Sequence, residues 1–152
     1  MLMAIIRLSP VQATERQRFM EMCLAYNQEL NPDFEPTENW KRTYFEAVTG
    51  HASAELLWLV DESQVGFVLL GHDEHPFRPG LVVGQIYEFY VQRQFRGSGV
   101  ATRAAEAALQ HLRDLGCHRI QLEVLDENER ARRFWTSLGF RKFTSRYVLQ
   151  TG

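Results

Sequence analysis

The spacing of hydrophobic and polar positions changes several times along the chain, and each change predicts a new element. The apolar run Met1–Ile6 predicts a first strand. Ser9 and Pro10 then provide a helix cap and a first helical position. After them, apolar residues three and four positions apart predict a helix that Pro32 ends.

The middle of the chain predicts a second helix followed by strands. The helix is capped by Thr37 and stops at Gly50. Leu56–Val60 and Val65–Leu70 then flank a short polar turn, which predicts an antiparallel hairpin. A loop rich in His, Pro and Gly separates this hairpin from a third strand, predicted over Val83–Val91.

From Val100 the spacing is helical again, with small and apolar side chains on one face up to Leu115. Gly116 ends this helix, and Ile120–Val124 alternates between apolar and polar residues as the next strand. The amphipathic pattern of both elements indicates that each has one buried face and one face in solvent.

The end of the chain predicts one more helix and one more strand. Gly139 stands where a left-handed helix cap belongs, and Phe143–Leu149 predicts the last strand. The complete order is strand, two helices, three strands, helix, strand, helix, strand, which indicates a mixed α/β or α+β fold around one sheet. With 152 residues, the whole chain 1–152 is predicted to be a single domain.

Composition narrows the class of protein. Apolar residues make up 45% of the chain and charged residues 24%, as in ordinary globular proteins. The apolar runs are far shorter than the roughly 20 residues that cross a bilayer, and the first residues lack a basic leader. Cys23 and Cys117 lie far apart without metal-ligand spacing, which favours buried thiols in a reducing compartment. We therefore expect a cytoplasmic protein with no membrane partner.

Charge is divided unevenly along the chain. The formal net charge of −2 argues against a protein that coats nucleic acid or a membrane through bulk charge. Residues 1–90 hold 6 basic and 13 acidic side chains, whereas residues 91–152 hold 11 basic and 6 acidic ones. Most of the basic residues are arginine, which suits bidentate contacts to phosphate. The asymmetry fits a phosphate-bearing ligand on the second half, and it fits a merely uneven surface equally well.

Two glycines, Gly97 and Gly99, stand between the Val83–Val91 strand and the alanine-rich helix. Glycines at a helix entrance let the backbone approach a ligand, and the unpaired N–H groups of the first turn then face an anion such as diphosphate. A Walker A loop is excluded because no lysine follows Gly99, and the dinucleotide fingerprint is excluded because Thr102 replaces its third glycine. A tight turn without a ligand is the alternative at this point.

Taken with its surroundings, this turn resembles the acyl-CoA signature of the GNAT acetyltransferase superfamily. The signature is Gln or Arg, two residues, Gly, one residue, then Gly or Ala, and it is met by Gln94, Gly97 and Gly99. Arg96 occupies a position that is commonly basic. A second segment agrees with the family's closing pattern through Asn128, Ala131, Phe134, Leu138, Gly139 and Phe140. The resemblance implies acetyl-CoA as co-substrate and a single GNAT-like acyl-CoA-binding domain, with a central mostly antiparallel sheet, two splayed parallel strands and flanking helices.

The resemblance also implies where the coenzyme would bind. Its pantetheine arm would lie between the splayed strands on main-chain groups of Phe89, Tyr90 and Val91, and an N–H near Val91 would polarise the thioester carbonyl. The diphosphate would rest on the amides of the glycine turn. The residues assigned to this second part are Gln94, Phe95, Arg96, Gly97, Ser98, Gly99, Val100 and Ala101, together with Asn128 and Trp135.

An amine acceptor is protonated at neutral pH, so a general base is expected. The resemblance offers Glu88, in the strand before the turn, and Glu123, in the next strand, and Glu88 is preferred because its neighbours are aromatic. Trp135 stands where many relatives carry a tyrosine that protonates the departing thiolate, and its indole cannot serve as that acid. The alternatives are unaided departure, or an acid supplied by Tyr90, Tyr87 or Tyr147.

The segment Glu29–Glu38 carries carboxylates and no basic residue, which favours a cationic amine or basic peptide as acceptor. His72 and His75 are interpreted as solvated loop residues, and no metal is predicted. The leading interpretation is an amine N-acetyltransferase that uses acetyl-CoA. A transferase for longer acyl chains and a non-catalytic acyl-CoA-binding domain are the alternatives. Only the resemblance to the family implies a homodimer.

Overall fold

The computed structural model describes residues 5–152, and its sheet has five strands. They are Arg7–Pro10 (β1), Ala54–Asp61 (β2), Ser63–Glu74 (β3), Val82–Val91 (β4) and Arg119–Leu122 (β5). Neighbours in the sheet follow chain order; the first four strands pair antiparallel and β5 pairs parallel with β4. The predicted mixed sheet, mostly antiparallel with one parallel pair, is confirmed.

All four predicted helices are present. They are Arg16–Leu30 (α1), Glu38–Thr49 (α2), Val100–Asp114 (α3) and Glu129–Ser137 (α4). Thr37 caps α2 as predicted, because its Oγ1 accepts a hydrogen bond from the Trp40 N–H at 3.0 Å. Gly50 ends α2, and Gly116 follows α3 with a left-handed φ of 91°. Within the described residues, no helix is both long enough and apolar enough to cross a membrane.

α1 and α2 cover one face of the sheet with an aromatic core. The Phe19 ring packs edge-on against Trp58 and Phe67, with ring centroids 6.3 and 5.0 Å apart. α3 covers the opposite face and lies close to β4, since a Cβ on Gly84 would come 3.2 Å from the Leu112 side chain. The repeated alanines of α3 make this approach compatible with close packing, and those fully buried are Ala104, Ala105 and Ala108.

The chain divides into two compact units, Met1–Leu122 and Glu123–Gly152. The larger unit holds the sheet and the first three helices, and the smaller unit holds α4. Asn128 caps α4 by accepting a hydrogen bond from the Ala131 N–H at 3.1 Å, and Gly139 has the left-handed φ, 100°, predicted for it. The single domain expected for the whole chain stays a prediction.

The first helix begins later than predicted. Of the predicted strand Met1–Ile6, residues 1–4 lie outside the described residues, Ile5 and Ile6 form no strand, and the first described strand is β1. Ser9 and Pro10 belong to β1 and pair with β2 instead of capping a helix, and a short 3₁₀ turn, Ala13–Glu15, precedes α1. β1 lies at the edge of the sheet, where a proline costs no ladder hydrogen bond, and this explains why the motif fits a strand end.

The predicted last strand, Phe143–Leu149, is wrong. Residues 141–152 form no strand, and their side chains are exposed, that of Tyr147 by 94%. Alternation indicates which side chains share a face, but it does not show whether a neighbouring strand is present to take the backbone hydrogen bonds. Two further strand ends differ from prediction, since β3 extends to Glu74 and β5 stops at Leu122.

Candidate active site

One edge of β4 is only partly paired. Its parallel pairing with β5 ends at Ile86, opposite Leu122, which is the last residue of β5. β4 itself continues to Val91 and stays paired with β3 on its other side. From Tyr87 to Val91, the edge that faces away from β3 has no strand beside it in the described sheet. We call this stretch the open edge; it corresponds to the gap between splayed strands that the resemblance implies.

Two residues turn their main-chain groups toward the open edge. The Gln92 N–H donates to the Val65 carbonyl at 2.8 Å, which fixes the alternation of hydrogen-bonded pairs between β3 and β4. Tyr90 therefore bonds to β3, whereas Phe89 and Val91 direct their N–H and C=O groups away from it. The main-chain groups of Tyr90 are thus engaged with β3, and its predicted contact to the coenzyme stays a prediction.

A β-bulge at Tyr87 changes which side chains share a face of β4. The register shifts after the pair of Leu69 and Glu88, so Tyr87 is an extra residue without a partner on β3. Its ring lies over Gly71, where a Cβ would come 2.6 Å from the ring atom Cε2. Leu69 packs into the core beneath α1, and Gly71 lies two residues further on the same face. Tyr87 and Glu88 thus both lie on the side of the sheet that α1 covers.

Glu88 is half-buried and bonded to the first helix. The Tyr26 hydroxyl on α1 donates a hydrogen bond to Glu88 Oε2. Burial raises the pKa of Glu88, and the hydrogen bond from Tyr26 offsets part of that rise. Burial, together with the charge of Glu88, also raises the pKa of Cys23 to about 12, so this neighbour stays a neutral thiol. A carboxylate with a raised pKa at this position is suited to accept a proton.

Glu29 near the end of α1 gathers three side chains from the end of β4 and the turn after it. Arg96 meets it at two points, with Nη1 2.9 Å from Oε1 and Nη2 3.2 Å from Oε2. The Tyr90 hydroxyl donates to Oε2 at 2.6 Å, and Arg93 lies 3.7 Å from Oε1. The Arg96 Nε also donates to the Val91 carbonyl at 2.8 Å. This carbonyl on the open edge therefore already has a donor.

The same contacts set the charge states of the group. Burial alone would raise the pKa of Glu29, but the hydrogen bonds from Arg96 and Tyr90 outweigh it and lower the pKa of this carboxyl. Burial and the bond to Glu29 raise the pKa of Tyr90 to about 12. Because the Tyr90 proton already points at a carboxylate, this geometry does not favour the predicted role of Tyr90 as general acid.

The glycine turn is open on its outer side. Gly97 and Gly99 have φ values of 97° and 79°, and a Cβ built on either would meet no atom within 4 Å. The first hydrogen bond of α3 runs from the Arg103 N–H to the Gly99 carbonyl at 3.0 Å. The N–H groups of Val100 and Ala101 therefore precede the ladder of the helix and have no acceptor within it. Free amides beside open space are suited to hold an anion such as diphosphate.

The turn residues before Gly97 are less available. The main-chain N–H groups of Phe95 and Arg96 donate to carbonyls three residues back, at 3.0 and 3.2 Å. Both amides are thus engaged within the turn, and their predicted contacts to the diphosphate stay predictions. Gln94 and Ser98 are exposed on the same turn, and their predicted contacts to the coenzyme stay predictions.

Three predicted site residues belong to the smaller unit. Glu123 is exposed and forms an ion pair with Arg146 at 2.8 Å. The Asn128 side chain is engaged as the cap of α4. Trp135 is buried, at 8% exposure, and its ring packs edge-on against Phe134. Their predicted roles at the coenzyme and as alternative base stay predictions.

Sequence reasoning missed Tyr26, and it assigned Glu29 only to an acidic acceptor segment and not to contacts with Arg96 and Tyr90. Tyr26 follows the core residues Phe19 and Cys23 at helical spacing, and Glu29 comes three residues later on the same side of α1. A tyrosine and a glutamate that continue an apolar face are a usable signal for buried polar partners. Which strand residues they would meet depends on long-range packing that the spacing does not contain.

Residues 19–140 match the acetyltransferase (GNAT) family. The chain is 27% identical over 131 residues to N-alpha-acetyltransferase 30 of Schizosaccharomyces pombe, covering 86% of this chain and 83% of that protein. It is also 36% identical over 70 residues to a mycothiol acetyltransferase of Parafrankia sp., covering 46% of this chain but only 21% of that protein. Among solved structures, a ribosomal-protein-alanine N-acetyltransferase from Brucella melitensis aligns with a TM-score of 0.74 at 21% identity, over 97% of this chain and 100% of its own, and shares the fold.

Proposed function

Because the chain belongs to the acetyltransferase (GNAT) family and is an acetyl-CoA-dependent acetyltransferase, we propose that it acetylates a primary amine by direct attack in a ternary complex. The acceptor is an amine of a small molecule, a protein N-terminus or a lysine. The observation that carries the proposal is that Val91 of β4 directs its N–H toward the open edge while Glu88, on the same strand, lies on one face of the sheet. Donor and acceptor can therefore meet at one strand.

The donor half of the site is built from main-chain groups. On the open edge, Phe89 and Val91 both direct main-chain groups away from β3, and the N–H of Val91 is left for a ligand, since Arg96 occupies only the Val91 carbonyl. Beyond them, Gly97, Gly99 and the first amides of α3 provide the anion site for a diphosphate. Acetyl-CoA, when bound, supplies the acetyl group as a thioester. The Val91 N–H is the donor for its carbonyl oxygen, and a donor of this kind is worth about 3 kcal/mol where one has been removed.

The acceptor half of the site needs a proton acceptor. An alkyl ammonium group has no free electron pair, so it must lose a proton before its nitrogen can form the new C–N bond. Glu88 takes that proton, and its raised pKa brings it closer to neutral pH than an exposed glutamate. Tyr26 holds the carboxylate in place. The C–S electron pair leaves with the thiolate, whose thiol is acidic enough to depart without an acid, and the second proton of the attacking nitrogen passes to this thiolate to give the free thiol.

The experiment that tests this proposal measures thiol release from acetyl-CoA with a panel of amines. We expect release that depends on the amine, and we expect Glu88→Gln to lower kcat by about 100-fold or more without weakening coenzyme A in calorimetry. The matched control is Glu106→Gln, which removes an exposed carboxylate from α3. Full turnover in the Glu88 variant would exclude Glu88 as base and leave Glu123. Coenzyme binding without release for any amine would contradict the proposal itself.

A further inference from the structure

An open cavity of about 270 Å³ lies on the α1 side of the sheet, toward the connection between β3 and β4. The side chains that matter for its chemistry are Asp73, His75, Gln85, Tyr87 and Gln121. All of them belong to the larger unit. We call this space the Asp73 cavity. It contains the one histidine-rich motif of the sequence for which no role had been assigned.

The strand register places the Asp73 cavity in line with Glu88. Asp73 pairs with Val83, and Gln85 pairs with Gln121, whose side-chain oxygen accepts a hydrogen bond from Gln85 Nε2 at 3.2 Å. By alternation these residues share a face with Leu69, the partner of Glu88. Asp73 lies four positions after Leu69 on β3, which corresponds to about 13 Å along the strand. The exposed Tyr87 ring lies between the two ends.

The charge of the Asp73 cavity is negative. Neither lysine nor arginine lines it, whereas Asp73 and Glu74 do. The Glu74 carboxylate already accepts a hydrogen bond from the Gly80 N–H at 2.7 Å, and His75 Nδ1 accepts one from the Phe77 N–H at 3.1 Å. For Asp73, residues 5–152 offer neither a hydrogen-bond nor an ion-pair partner. The Asp73 carboxylate is thus the acidic group of the cavity that is available to bind a ligand.

A metal ion does not suit this cavity. In the described part of the chain, no three side chains of His, Cys, Asp or Glu are grouped closely enough to hold one. An organic cation with hydrogen-bonding groups suits it better, because a carboxylate, two side-chain amides and a phenol line one continuous surface.

We propose that the Asp73 cavity binds the far end of the acceptor and recognises a second positive charge there, about 13 Å from the amine that is acetylated. The acceptor class is therefore an extended amine with a distal cation, such as a diamine or a peptide with a basic residue near its N-terminus. This inference rests on the proposed function, since Glu88 defines where the reacting amine lies. The inference also places acceptor recognition at Asp73 and not at Glu29, the first residue of the acidic segment predicted from sequence. The Glu29 carboxylate already binds Arg96 and Tyr90.

The test compares 1,8-diaminooctane with octylamine, which share the reacting amine and differ in the distal charge. Wild-type protein should acetylate the diamine with the higher kcat/KM, through a lower KM. Asp73→Asn should reduce the diamine-to-octylamine ratio of kcat/KM by two- to fivefold, the range of an exposed ion pair, and added salt should reduce it as well. Asp73→Lys should reverse the preference. Glu106→Gln, which changes the net charge equally on α3, should leave the ratio unchanged.

A pair of peptides distinguishes the two classes of acceptor, diamines and basic peptides. Ala-Ala-Ala-Lys and Ala-Ala-Ala-Gln differ only in a distal ammonium group, and a preference confined to the peptides or to the alkyl amines identifies the acceptor type. Equal kcat/KM for the charged and uncharged members of both pairs would overturn the inference, as would a ratio that Asp73→Asn does not change. Absence of transfer to all four acceptors, with coenzyme still bound, would instead count against the proposed function.

Discussion

Glu29 and Arg96 form a two-point ion pair that joins the end of the first helix to the glycine turn, with distances of 2.9 and 3.2 Å. The same guanidinium donates to the Val91 carbonyl at 2.8 Å and lies over the Tyr90 ring, 5.5 Å from its centroid. Arg96 therefore fixes one main-chain group of the open edge and leaves the Val91 N–H as the group that a thioester can meet. Helix α1 thus helps to shape the donor site as well as the surroundings of Glu88.

Glu29→Gln should weaken the binding of coenzyme A because it releases Arg96 from this position. We expect Kd to rise about three- to tenfold, as for the loss of one ordinary hydrogen bond, because Glu29 acts on the coenzyme only through Arg96. Calorimetry measures the change, and Glu21→Gln, an exposed carboxylate elsewhere on α1, is the control. In an Arg96→Gln background the effect of Glu29→Gln should disappear, since the partner is gone. Equal effects in both backgrounds would show that Glu29 does not act through Arg96.

The pH dependence of turnover should depend on Tyr26. Glu88 must be ionised to accept a proton, so kcat should fall as pH drops through its raised pKa. The hydrogen bond from Tyr26 lowers that pKa, so Tyr26→Phe should move the acidic limb of the profile to higher pH. Using one acceptor for both proteins cancels the titration of the amine. An acidic limb that stays in place in Tyr26→Phe would count against Glu88 as base.

Stability should also depend on pH through Glu88. Since burial raises the folded-state pKa of Glu88, its contribution to stability is complete below the unfolded-state pKa and is lost as pH rises through the folded-state value. The variant Glu88→Gln is neutral throughout, so its unfolding free energy should rise relative to that of the wild type as pH increases above the ordinary glutamate pKa of about 4.3. Urea unfolding at several pH values measures this difference. A difference that does not change with pH, as expected for the exposed control Glu106→Gln, would contradict the burial of Glu88.

A side chain introduced into the glycine turn should meet no neighbouring atom, but it should strain the backbone. At Gly99 a Cβ meets no atom within 4 Å, yet φ is 79°, so Gly99→Ala should cost about 1–2 kcal/mol of unfolding free energy through strain alone. Gly99→Asn should cost less, because asparagine adopts the left-handed conformation more easily. Urea unfolding ranks the two variants. If alanine and asparagine were equally costly, an unseen steric contact would be the cause.

Local patterns predicted most of the fold and the position of the glycine turn. The caps at Thr37 and Gly139 and the strand before the turn follow from residue chemistry within a few positions, which is the range that periodicity and capping rules describe. The prediction of a last strand was wrong because it depended on more than local chemistry. Phe143–Leu149 has strand-like alternation, but it pairs with no strand in the structure. Pairing is decided by distant residues.

The candidate site was predictable in part for the same reason. Glu88 stands out in sequence as a carboxylate among aromatic residues, but its contact with Tyr26 joins residues far apart in the chain. The sequence also did not show that the N–H groups of Phe95 and Arg96 donate within a short 3₁₀ turn. Sequence thus indicated the strand, the turn and the helix α1, while the contacts that α1 makes to the site appeared only in the folded chain.

The central claim is that the open edge and the glycine turn bind the coenzyme through main-chain amides, and an NMR titration tests it most directly. With ¹⁵N-labelled protein and coenzyme A, we predict the largest amide shifts at Phe89, Val91 and the residues from Gly97 to Ala101. Tyr90, whose amide bonds to β3, should shift less than either neighbour. Saturable binding with no shift at Phe89, Val91 or the turn would contradict the account.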